Sequence, residues 1–359
     1  MSSRGFLVCA DITGYTGYLS HSELEHATGT LADLLRLLLA HVQAPLHLSR
    51  VEGDAVISYA TAAAGIPGQL VVDQLDDTYV AFRRALEQMV LNTSCRCNAC
   101  ANIGELDLKF VVHHGEFAVQ RLGQQDELVG PEVNLLFRLA KNRIRQSLGL
   151  PGYVAFTAEA LEALALPGFG ETLRDHTEDD SERGRIALHV RDMRPVWEAQ
   201  KDRVPVTIPA AEVVASHSEV VAAPPEVVFA LLAEPATRTV FFEADGMTVD
   251  RLADGRIGTD AVYVCAHGDT VIRQTVIDWS PPHRYAFSNP IPGGLTMTGT
   301  FRLDPVAEGT RVTVVVGVPR GIKAALMRPI LRRQMSRWLD HAFASLVRWV
   351  KAERAGAPG

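Results

Sequence analysis

Two acidic residues near the start of the chain each lie where an apolar run stops. Asp11 follows the run Phe6–Ala10, and Asp54 follows a break at positions 52–53 between two apolar stretches. An apolar run that breaks at Glu-Gly and then resumes predicts a hairpin with a polar tip. Each carboxylate is therefore expected at a strand end, the edge at which open α/β sheets bind their ligands.

A glycine-containing turn follows Asp11. The segment Ile12–Thr16 contains Gly14 and leads into an amphipathic helix. Its apolar positions are Leu24, Ala27, Leu31, Leu34, Leu35 and Leu38. Backbone N–H groups in such a turn can hold phosphate oxygens.

Length and composition limit the class of protein. At about 150 residues per domain, the chain of 359 residues suggests two domains, and 47% apolar residues suffice for two cores. The net charge of −7 argues against a nucleic-acid-binding protein, which needs a basic face. No apolar segment reaches the ~20 residues of a membrane-spanning helix, and the first residues lack a signal-peptide pattern. We therefore expect a cytoplasmic protein without an integral membrane segment.

The chain after the hairpin contains a cysteine cluster. Residues 61–77, rich in Ala, Gly and Asp, predict a loop, and residues 78–91 predict a helix. Cys95, Cys97 and Cys100 follow. Zinc prefers four ligands in a tetrahedron, and the cluster offers three, with His113 or His114 as conceivable fourth ligands. The alternative is a loop of reduced thiols, because the spacing is not that of a zinc ribbon.

A second polar pair lies on a predicted helix. Pro131 suits the first turn of a helix, and Asn134 and Arg138, four residues apart, share one face. Their neighbours Leu135, Leu136, Phe137 and Leu139 are apolar. A polar pair that interrupts an apolar helix surface is a candidate functional pair.

These motifs together resemble class III nucleotidyl cyclases. The stretch Ala10–Thr16 is similar to the first-strand motif of that family, and Gly53-Asp54 is similar to its hairpin aspartate. The resemblance implies that Asp11, Ile12 and Asp54 hold two Mg²⁺ or Mn²⁺ ions. It also implies that Asn134 orients the ribose while Arg138 neutralises charge on the α-phosphate, a task suited to a planar guanidinium.

The residues implied for the rest of the nucleotide depart from the family pattern. Arg50 stands where the family has a base-reading lysine, and Glu127 stands at its partner position. An ionised Glu accepts hydrogen bonds only, so ATP is preferred over GTP only slightly. Further candidate nucleotide contacts are Gly14, Tyr15, Thr16, Arg121 and either Arg183 or Arg185.

In the resembled family two domains pair head to tail, each supplying part of every site. The resemblance therefore implies a homodimer with two equivalent sites across a two-fold axis. The cyclase-like pattern ends near residue 192, and the proline-containing stretch 193–211 predicts a linker.

The remainder, residues 212–355, predicts a strand, a helix near Glu226, six alternating strands and a long closing helix. This order resembles the START/Bet v 1-like superfamily, also called SRPBCC or polyketide cyclase-like, which holds an apolar ligand between sheet and helix. Trp279, Tyr285, Phe301 and Trp338 either line such a cavity or fill the core. The expected fold class is α+β, with a ferredoxin-like class III cyclase fold over 1–192 followed by a Bet v 1-like helix-grip fold.

The leading hypothesis is a class III-like adenylate cyclase regulated by a small apolar ligand bound in the C-terminal domain. One alternative is a nucleotide-binding regulator without turnover, which the altered base-reading pair permits. Another is an apolar-ligand carrier dimerised by the N-terminal domain.

Overall fold

The computed structural model describes residues 2–42, 44–61, 67–95, 97–123, 125–252, 254–291 and 294–356. The chain divides into two compact units, Met1–Arg203 and Val204–Gly359. Both mix helices with a sheet, so the predicted α+β class is confirmed. Within the described ranges, no helix combines the length and apolar character needed to cross a membrane.

The first unit is built on an eight-stranded sheet. Seven strands follow the order β2-β3-β1-β4-β6-β8-β7, and β5 pairs with β4. The described pairs are antiparallel except β4 with β6. The strands are β1 (Ser2–Thr13), β2 (His47–Glu52), β3 (Ala55–Thr61), β4 (Asp107–Leu122), β5 (Gln125–Val129), β6 (Tyr153–Thr157), β7 (Arg174–Asp180) and β8 (Gly184–Asp192).

Helices cover both faces of this sheet. They are α1 (Tyr15–Ser20), α2 (Leu24–His41), α3 (Gly68–Asn92), α4 (Asn98–Asn102), α5 (Pro131–Ala140), α6 (Ile144–Leu148), α7 (Ala158–Leu164) and α8 (Arg194–Gln200). Short 3₁₀ turns occupy Ile103–Glu105 and Phe169–Thr172. The core on one face includes residues of α2, α3, α7 and α8, and the core on the other face includes residues of α5 and α6.

The period of two along β1 decides which residues meet which helices. Phe6 and Val8 pack in the core that contains α2 and α3, whereas Leu7 and Cys9 pack in the core that contains α5. Because successive side chains of a strand point to opposite faces, Asp11 continues the Leu7 and Cys9 series. Its carboxylate is therefore on the same side of the sheet as α5.

The predicted loop at 61–77 is wrong from Gly68 onward, where α3 begins. Residues 62–66 lie outside the described residues. The polar composition of this stretch suggested a loop, but the polar residues in the first turns of α3 are buried and paired. The Asp76 carboxylate binds Arg191 at 2.6 Å, and the Gln74 amide donates to the carbonyl of His41. The amphipathic α2 is confirmed, except that Leu24 is exposed.

Part of the predicted linker 193–211 is folded into the first unit. Pro195 lies in the first turn of α8, where a missing N–H costs nothing. Val196 and Trp197 of this helix are buried in the core that contains α3. The first unit therefore extends to Arg203 rather than ending at residue 192.

The second unit contains a seven-stranded antiparallel sheet of order β10-β11-β12-β13-β14-β15-β9. Its strands are β9 (Val213–Val221), β10 (Gly246–Asp250), β11 (Val262–His267), β12 (Thr270–Ser280), β13 (Arg284–Ile291), β14 (Leu295–Val306) and β15 (Gly309–Gly317). Its helices are α9 (Pro225–Ala233), α10 (Pro235–Phe241) and the long α11 (Ile322–Gly356). The predicted strand, helix and sheet order is confirmed, with α10 as an addition. Proline at the start of both α9 and α10 separates the two helices.

Candidate functional site

Asp11 lies at the end of β1 opposite Lys109 of β4 in the strand register. The Lys109 Nζ is 3.4 Å from Asp11 Oδ1 and donates a 3.0 Å hydrogen bond to the carbonyl of Ala140, at the end of α5. Burial raises the pKa of Asp11 to about 6, Lys109 opposes that rise, and Asp54 adds to it. The Asp11 charge is thus only partly compensated by the chain itself.

Asp54 lies beside Asp11, as predicted. Gly53 takes a left-handed φ of 64° in the tight turn between β2 and β3, and Asp54 completes that turn. The backbone N–H of Ile12 donates to the Asp54 carbonyl at 3.4 Å, which joins the two strand tips. Burial also raises the pKa of Asp54. Two adjacent carboxylates that are costly to ionise form an oxygen donor set suited to Mg²⁺ or Mn²⁺. The Ile12 side chain is buried and carries no ligand atom, so Ile12 could offer such an ion only its backbone oxygen.

The turn after β1 borders a cavity of about 310 Å³. Gly14 takes a left-handed φ of 91° and precedes α1, which begins with Tyr15 and Thr16. Tyr15 packs partly against the core, whereas Thr16 is exposed. Arg145 of α6 lines the same cavity, and its Nη1 lies 3.7 Å from the position a Cβ at Gly14 would take. The turn therefore has a cation beside it.

Arg50 and Glu127 form an ion pair, with Arg50 Nη1 2.5 Å from Glu127 Oε2. The Arg50 guanidinium also lies over the ring of Phe137 on α5, 4.8 Å from its centroid. A bulge at Ser49 makes this possible: the register passes from Leu48 opposite Ser58 to Arg50 opposite Ile57. Without the extra residue, Arg50 would be on the other face of the sheet, away from α5.

Asn134 and Arg138 lie on α5 as predicted, Asn134 exposed and Arg138 27% exposed in its side chain. Arg138 Nε donates a 2.5 Å hydrogen bond to Asp180 Oδ2, and Nη2 lies 3.4 Å from Oδ1 and 3.2 Å from Glu182 Oε2. The Arg138 hydrogen bond holds the pKa of Asp180 below its usual range. Among the contacts of the described residues, none uses Arg138 Nη1. In a single chain, Asn134 and Arg138 make no described contact with Asp11 or Asp54.

The other basic residues predicted to contact the nucleotide are either paired with carboxylates or exposed. Arg121 pairs with Asp126 across the β4–β5 hairpin at 2.9 Å and is largely exposed. Arg183 makes a two-bond ion pair with Glu132 at 2.8 and 2.9 Å. Arg185 is exposed on β8, opposite Asp179.

The three clustered cysteines lie next to a histidine that sequence analysis did not select, His26 of α2. His113 is buried elsewhere, with its ring nitrogens 2.9 Å from Thr157 Oγ1 and 2.8 Å from Glu132 Oε2. His114 packs edge-on against Phe6. His113 and His114 are therefore not the fourth member of the cysteine cluster.

The second unit contains a cavity of about 330 Å³ between its sheet and α11. Trp338, Phe287, Met297 and Val316 line much of it, so the wall is mainly apolar. Of the four aromatic residues predicted for such a cavity, only Trp338 lines it. Tyr285 and Phe301 are buried and stacked 4.6 Å apart, and Trp279 packs against Phe229, so these three fill the core.

Two polar features border this apolar cavity. Asn289 is only 3% exposed, and its Oδ1 has no hydrogen-bond partner among the described residues. Gln274 accepts a 2.7 Å hydrogen bond from the buried Arg238, whose guanidinium lies 4.1 Å from the ring centroid of Tyr263. A buried polar atom without a partner is costly, so a hydrogen-bonding group on a bound molecule would be stabilised at Asn289.

Different protein families match the two units. The family described as polyketide cyclase / dehydrase and lipid transport matches residues 212–350. The second unit is similar to this family over those residues. A family described only as a protein of unknown function, DUF2652, matches residues 31–148, which include Arg50, Asp54, Glu127, Asn134 and Arg138 but not Asp11.

A curated relative is the uncharacterized protein Rv2561/Rv2562 of Mycobacterium tuberculosis, 34% identical over 136 residues. The match covers 35% of this chain and 63% of the relative.

Solved structures similar to the first half include cyclases. A bacterial light-regulated adenylyl cyclase is 15% identical, with 53% of this chain and 90% of that chain covered and a TM-score of 0.38. The adenylyl cyclase CyaB of P. aeruginosa is 16% identical, with 54% and 95% covered and a TM-score of 0.37.

Four residues of these sites were not found from the sequence: Lys109, Arg145, Asp180 and His26. Lys109 had a signal, because a charged residue in the apolar run of β4 is unusual on a buried strand. The others become neighbours of the predicted residues only through the fold.

Proposed function

We propose that the first unit binds a purine nucleoside triphosphate with divalent metal ions and converts it to a 3′,5′-cyclic nucleotide. ATP is the preferred substrate and the active form is a homodimer. The proposal takes the predicted metal, base and transition-state residues as one site and assigns each a task.

The ion pair between Arg50 and Glu127 is the observation that carries this proposal. The two residues are 77 positions apart in the sequence, and both are candidates for contact with the purine base. Both adjoin α5, the helix that carries Asn134 and Arg138, through the contact of Arg50 with Phe137. The residues proposed for the base thus adjoin those proposed for the ribose and the α-phosphate. Base, ribose and phosphate follow one another in the same order in a nucleotide.

Each side chain then has a defined role. Asp11 and Asp54 would hold the ions, which when bound lower the pKa of the ribose 3′-hydroxyl and neutralise charge on the triphosphate. Asn134 would fix the ribose through its exposed amide. Arg138 would present Nη1 to the α-phosphate while Asp180 holds the other edge of the guanidinium, so the fork stays in one orientation as charge develops. Arg145 would contact the terminal phosphates beside the Gly14 turn.

A homodimer accounts for the separation of these groups within one chain. Arg138 is directed toward the β7–β8 hairpin, and Lys109 lies between Asp11 and the end of α5. In a two-fold dimer, Asp11 and Asp54 of one subunit would meet Asn134 and Arg138 of the partner. Exposed Leu48 and Val51 on the edge strand β2 are apolar residues available for such a contact.

A second candidate function is a nucleotide-binding regulator without turnover. The observation that favours it is the engagement of Arg138 by both Asp180 and Glu182. If these carboxylates neutralise the guanidinium rather than orient it, the nucleotide would bind but the transition state would lack its cation.

The decisive experiment measures cyclic product from the purified full chain with Mn²⁺ and either ATP or GTP. Asp54→Ala and Arg138→Ala should each lower the rate by ~100-fold or more, the loss typical of one preorganised charge. Arg143→Ala is the matched control, because Arg143 is an exposed arginine just beyond α5.

Mixing the two inactive variants tests the shared site directly. Half of the randomly assorted dimers would be mixed, and one of the two sites in each mixed dimer would be intact, so about a quarter of the activity should return. Nucleotide binding without product would favour the regulator, and no nucleotide binding would refute both candidates.

We further propose that the cavity of the second unit holds a small, mainly apolar molecule that regulates the first unit. Its volume and apolar wall suit a compact ligand. The fluorescent probe 1-anilinonaphthalene-8-sulfonate tests the cavity. Val316→Phe, which narrows it, should lower probe fluorescence severalfold, whereas Val271→Phe at a 62% exposed position should not. Equal fluorescence in both variants would refute this site.

A further inference from the structure

The cysteine cluster and His26 come from two segments of the first unit. His26 lies on α2, Cys95 and Cys97 lie just before α4, and Cys100 lies within α4. Each of the four offers one ligand atom, and these atoms all lie within 4.8 Å of one another. His26 Nδ1 is 3.2 Å from Cys97 Sγ and 3.7 Å from the Sγ of both Cys95 and Cys100.

These distances match the edges of a tetrahedral zinc site. With Zn–S near 2.3 Å and Zn–N near 2.0–2.1 Å, the nitrogen and each sulfur of such a site are about 3.6 Å apart. We propose that Cys95, Cys97, Cys100 and His26 bind one Zn²⁺ ion. Three thiolates and one imidazole complete the coordination, which is the arrangement of a closed structural site rather than a catalytic one.

The backbone around the cluster supports the ligand positions. Cys97 precedes α4, and its sulfur accepts a 3.4 Å hydrogen bond from the backbone N–H of Cys100. Glu23, three residues before His26, accepts a 3.1 Å hydrogen bond from the backbone N–H of Ala99. Each of these bonds joins parts of the ligand-bearing segments, as outer-shell contacts do in metal sites.

The exposure of the cysteines separates this cluster from thiols that merely pack. Cys9 and Cys265 are 1% and 3% exposed and lie in apolar cores. In contrast, Cys95 is exposed, and Cys97 and Cys100 are half-buried. Cys97 packs partly against the core that contains α2, but Cys95 is exposed and Cys100 is only half-buried. Burial therefore does not account for three thiols that converge on one histidine nitrogen, whereas metal ligation does.

The ion would fix one wall of the cavity beside the Gly14 turn. His26 and Cys97 are 71 residues apart, so the site closes a long loop. α2 follows the turn and α1, while Asn102 at the end of α4 and Glu105 just after it line the cavity together with Gly14 and Tyr18. Zinc binding therefore ties together the two segments that enclose this cavity.

Metal analysis of the full chain, purified without chelators, tests the site. Wild type and His21→Ala should each contain about one zinc ion per chain, because one tetrahedral site takes one ion. His21 is the matched control because it is a neighbouring exposed histidine whose ring, among the described residues, bonds to the Gly17 carbonyl. His26→Ala and Cys97→Ser should lose most of the zinc, and the chelator-induced drop in Tm should be confined to wild type and His21→Ala.

A readout on the unmutated chain covers the case in which a variant fails to fold. Co²⁺ added to the zinc-free chain should produce thiolate-to-cobalt charge-transfer absorption, which added Zn²⁺ should abolish. The proposal is overturned by absence of zinc and of that absorption, by iron in place of zinc, or by a disulfide within the cluster in the purified chain. None of these readouts depends on cyclase activity, so this proposal and the proposed function can fail separately.

Discussion

Asp11 and Asp180 are two aspartates at strand ends of the first unit with opposite electrostatic environments. Burial raises the pKa of Asp11 to about 6, since one lysine at 3.4 Å compensates only part of its charge. Hydrogen bonds from Arg138 and from the backbone N–H groups of Glu182 and Arg183 hold the pKa of Asp180 below its usual range. The surroundings of Asp180 stabilise its ionised carboxylate, whereas those of Asp11 do not.

This difference is what the proposed function requires of a carboxylate that binds an ion and of one that holds an arginine. An undercompensated carboxylate next to a second one is stabilised when a divalent cation binds. A fully bonded carboxylate instead fixes its arginine. Under the proposed function, Asp11 would take part in ion binding and Asp180 would position Arg138.

Among the changes that test this contrast, Asp180→Asn is expected to have the largest effect. Asp180→Asn should lower kcat by ~10- to 100-fold, as the loss of an outer-shell partner typically does, with a smaller change in KM. The guanidinium would keep its charge but lose its fixed orientation. Steady-state kinetics with the preferred nucleotide measures this.

The neighbouring Asp179→Asn provides the control. The Asp179 side chain is 76% exposed, and its ion pair with Arg143 is long, at 3.9 Å. A faster Asp180→Asn enzyme would mean that Asp180 restrains Arg138, and the comparison would then support inhibition rather than positioning.

A smaller effect is expected at the base-reading pair. Glu127→Gln keeps the shape of the side chain but removes the charge that binds Arg50 and adds a donor. The ratio of kcat/KM for ATP and GTP should change by about tenfold, because a misplaced hydrogen-bonding group penalises one base more than the other. Glu116→Gln, at an exposed position of β4, should leave the ratio unchanged. An unchanged ratio in Glu127→Gln would remove this pair from base recognition.

The smallest effect is on stability, at Asp11. Its folded pKa lies above the unfolded value, so above about pH 6 the ionised side chain destabilises the folded state. Asp11→Asn should therefore raise the free energy of unfolding near pH 8 by about 1 kcal/mol, less than the full pKa shift because Lys109 loses its partner. The gain should shrink as the pH falls from about 6 toward 4, where wild-type Asp11 becomes protonated.

Urea unfolding without added Mg²⁺ at several pH values measures this gain. Glu52→Gln, at a 58% exposed position of the same hairpin region, should show no comparable dependence. A destabilised Asp11→Asn chain near pH 8 would show that Lys109 compensates Asp11 fully, and the contrast with Asp180 would disappear.

The strand and helix patterns of both units were predictable where the apolar period was local. The continuous apolar run Phe6–Ala10 predicted β1, and the spacing of four placed Asn134 and Arg138 together on α5. Helix α3 was missed over its first turns because its polar residues are buried against distant partners such as Arg191.

The site itself was predictable only in part. The bulge at Ser49 decides that Arg50 is on the α5 face, and no residue type near it signals a bulge. Asp180 lies 42 residues from Arg138, and His26 lies 69 residues from Cys95. Such pairs are fixed by how the sheet and helices assemble, which local periodicity does not contain.

The ten residues of α5 present Phe137 to Arg50 and, one position later, Arg138 to the β7–β8 hairpin. A rigid rod of three turns cannot rotate for one of these side chains without moving the other. A change in α5 that alters discrimination between purines would consequently also alter the rate of ring closure. A variant selected for a different nucleotide would then also need changes that restore its catalytic rate.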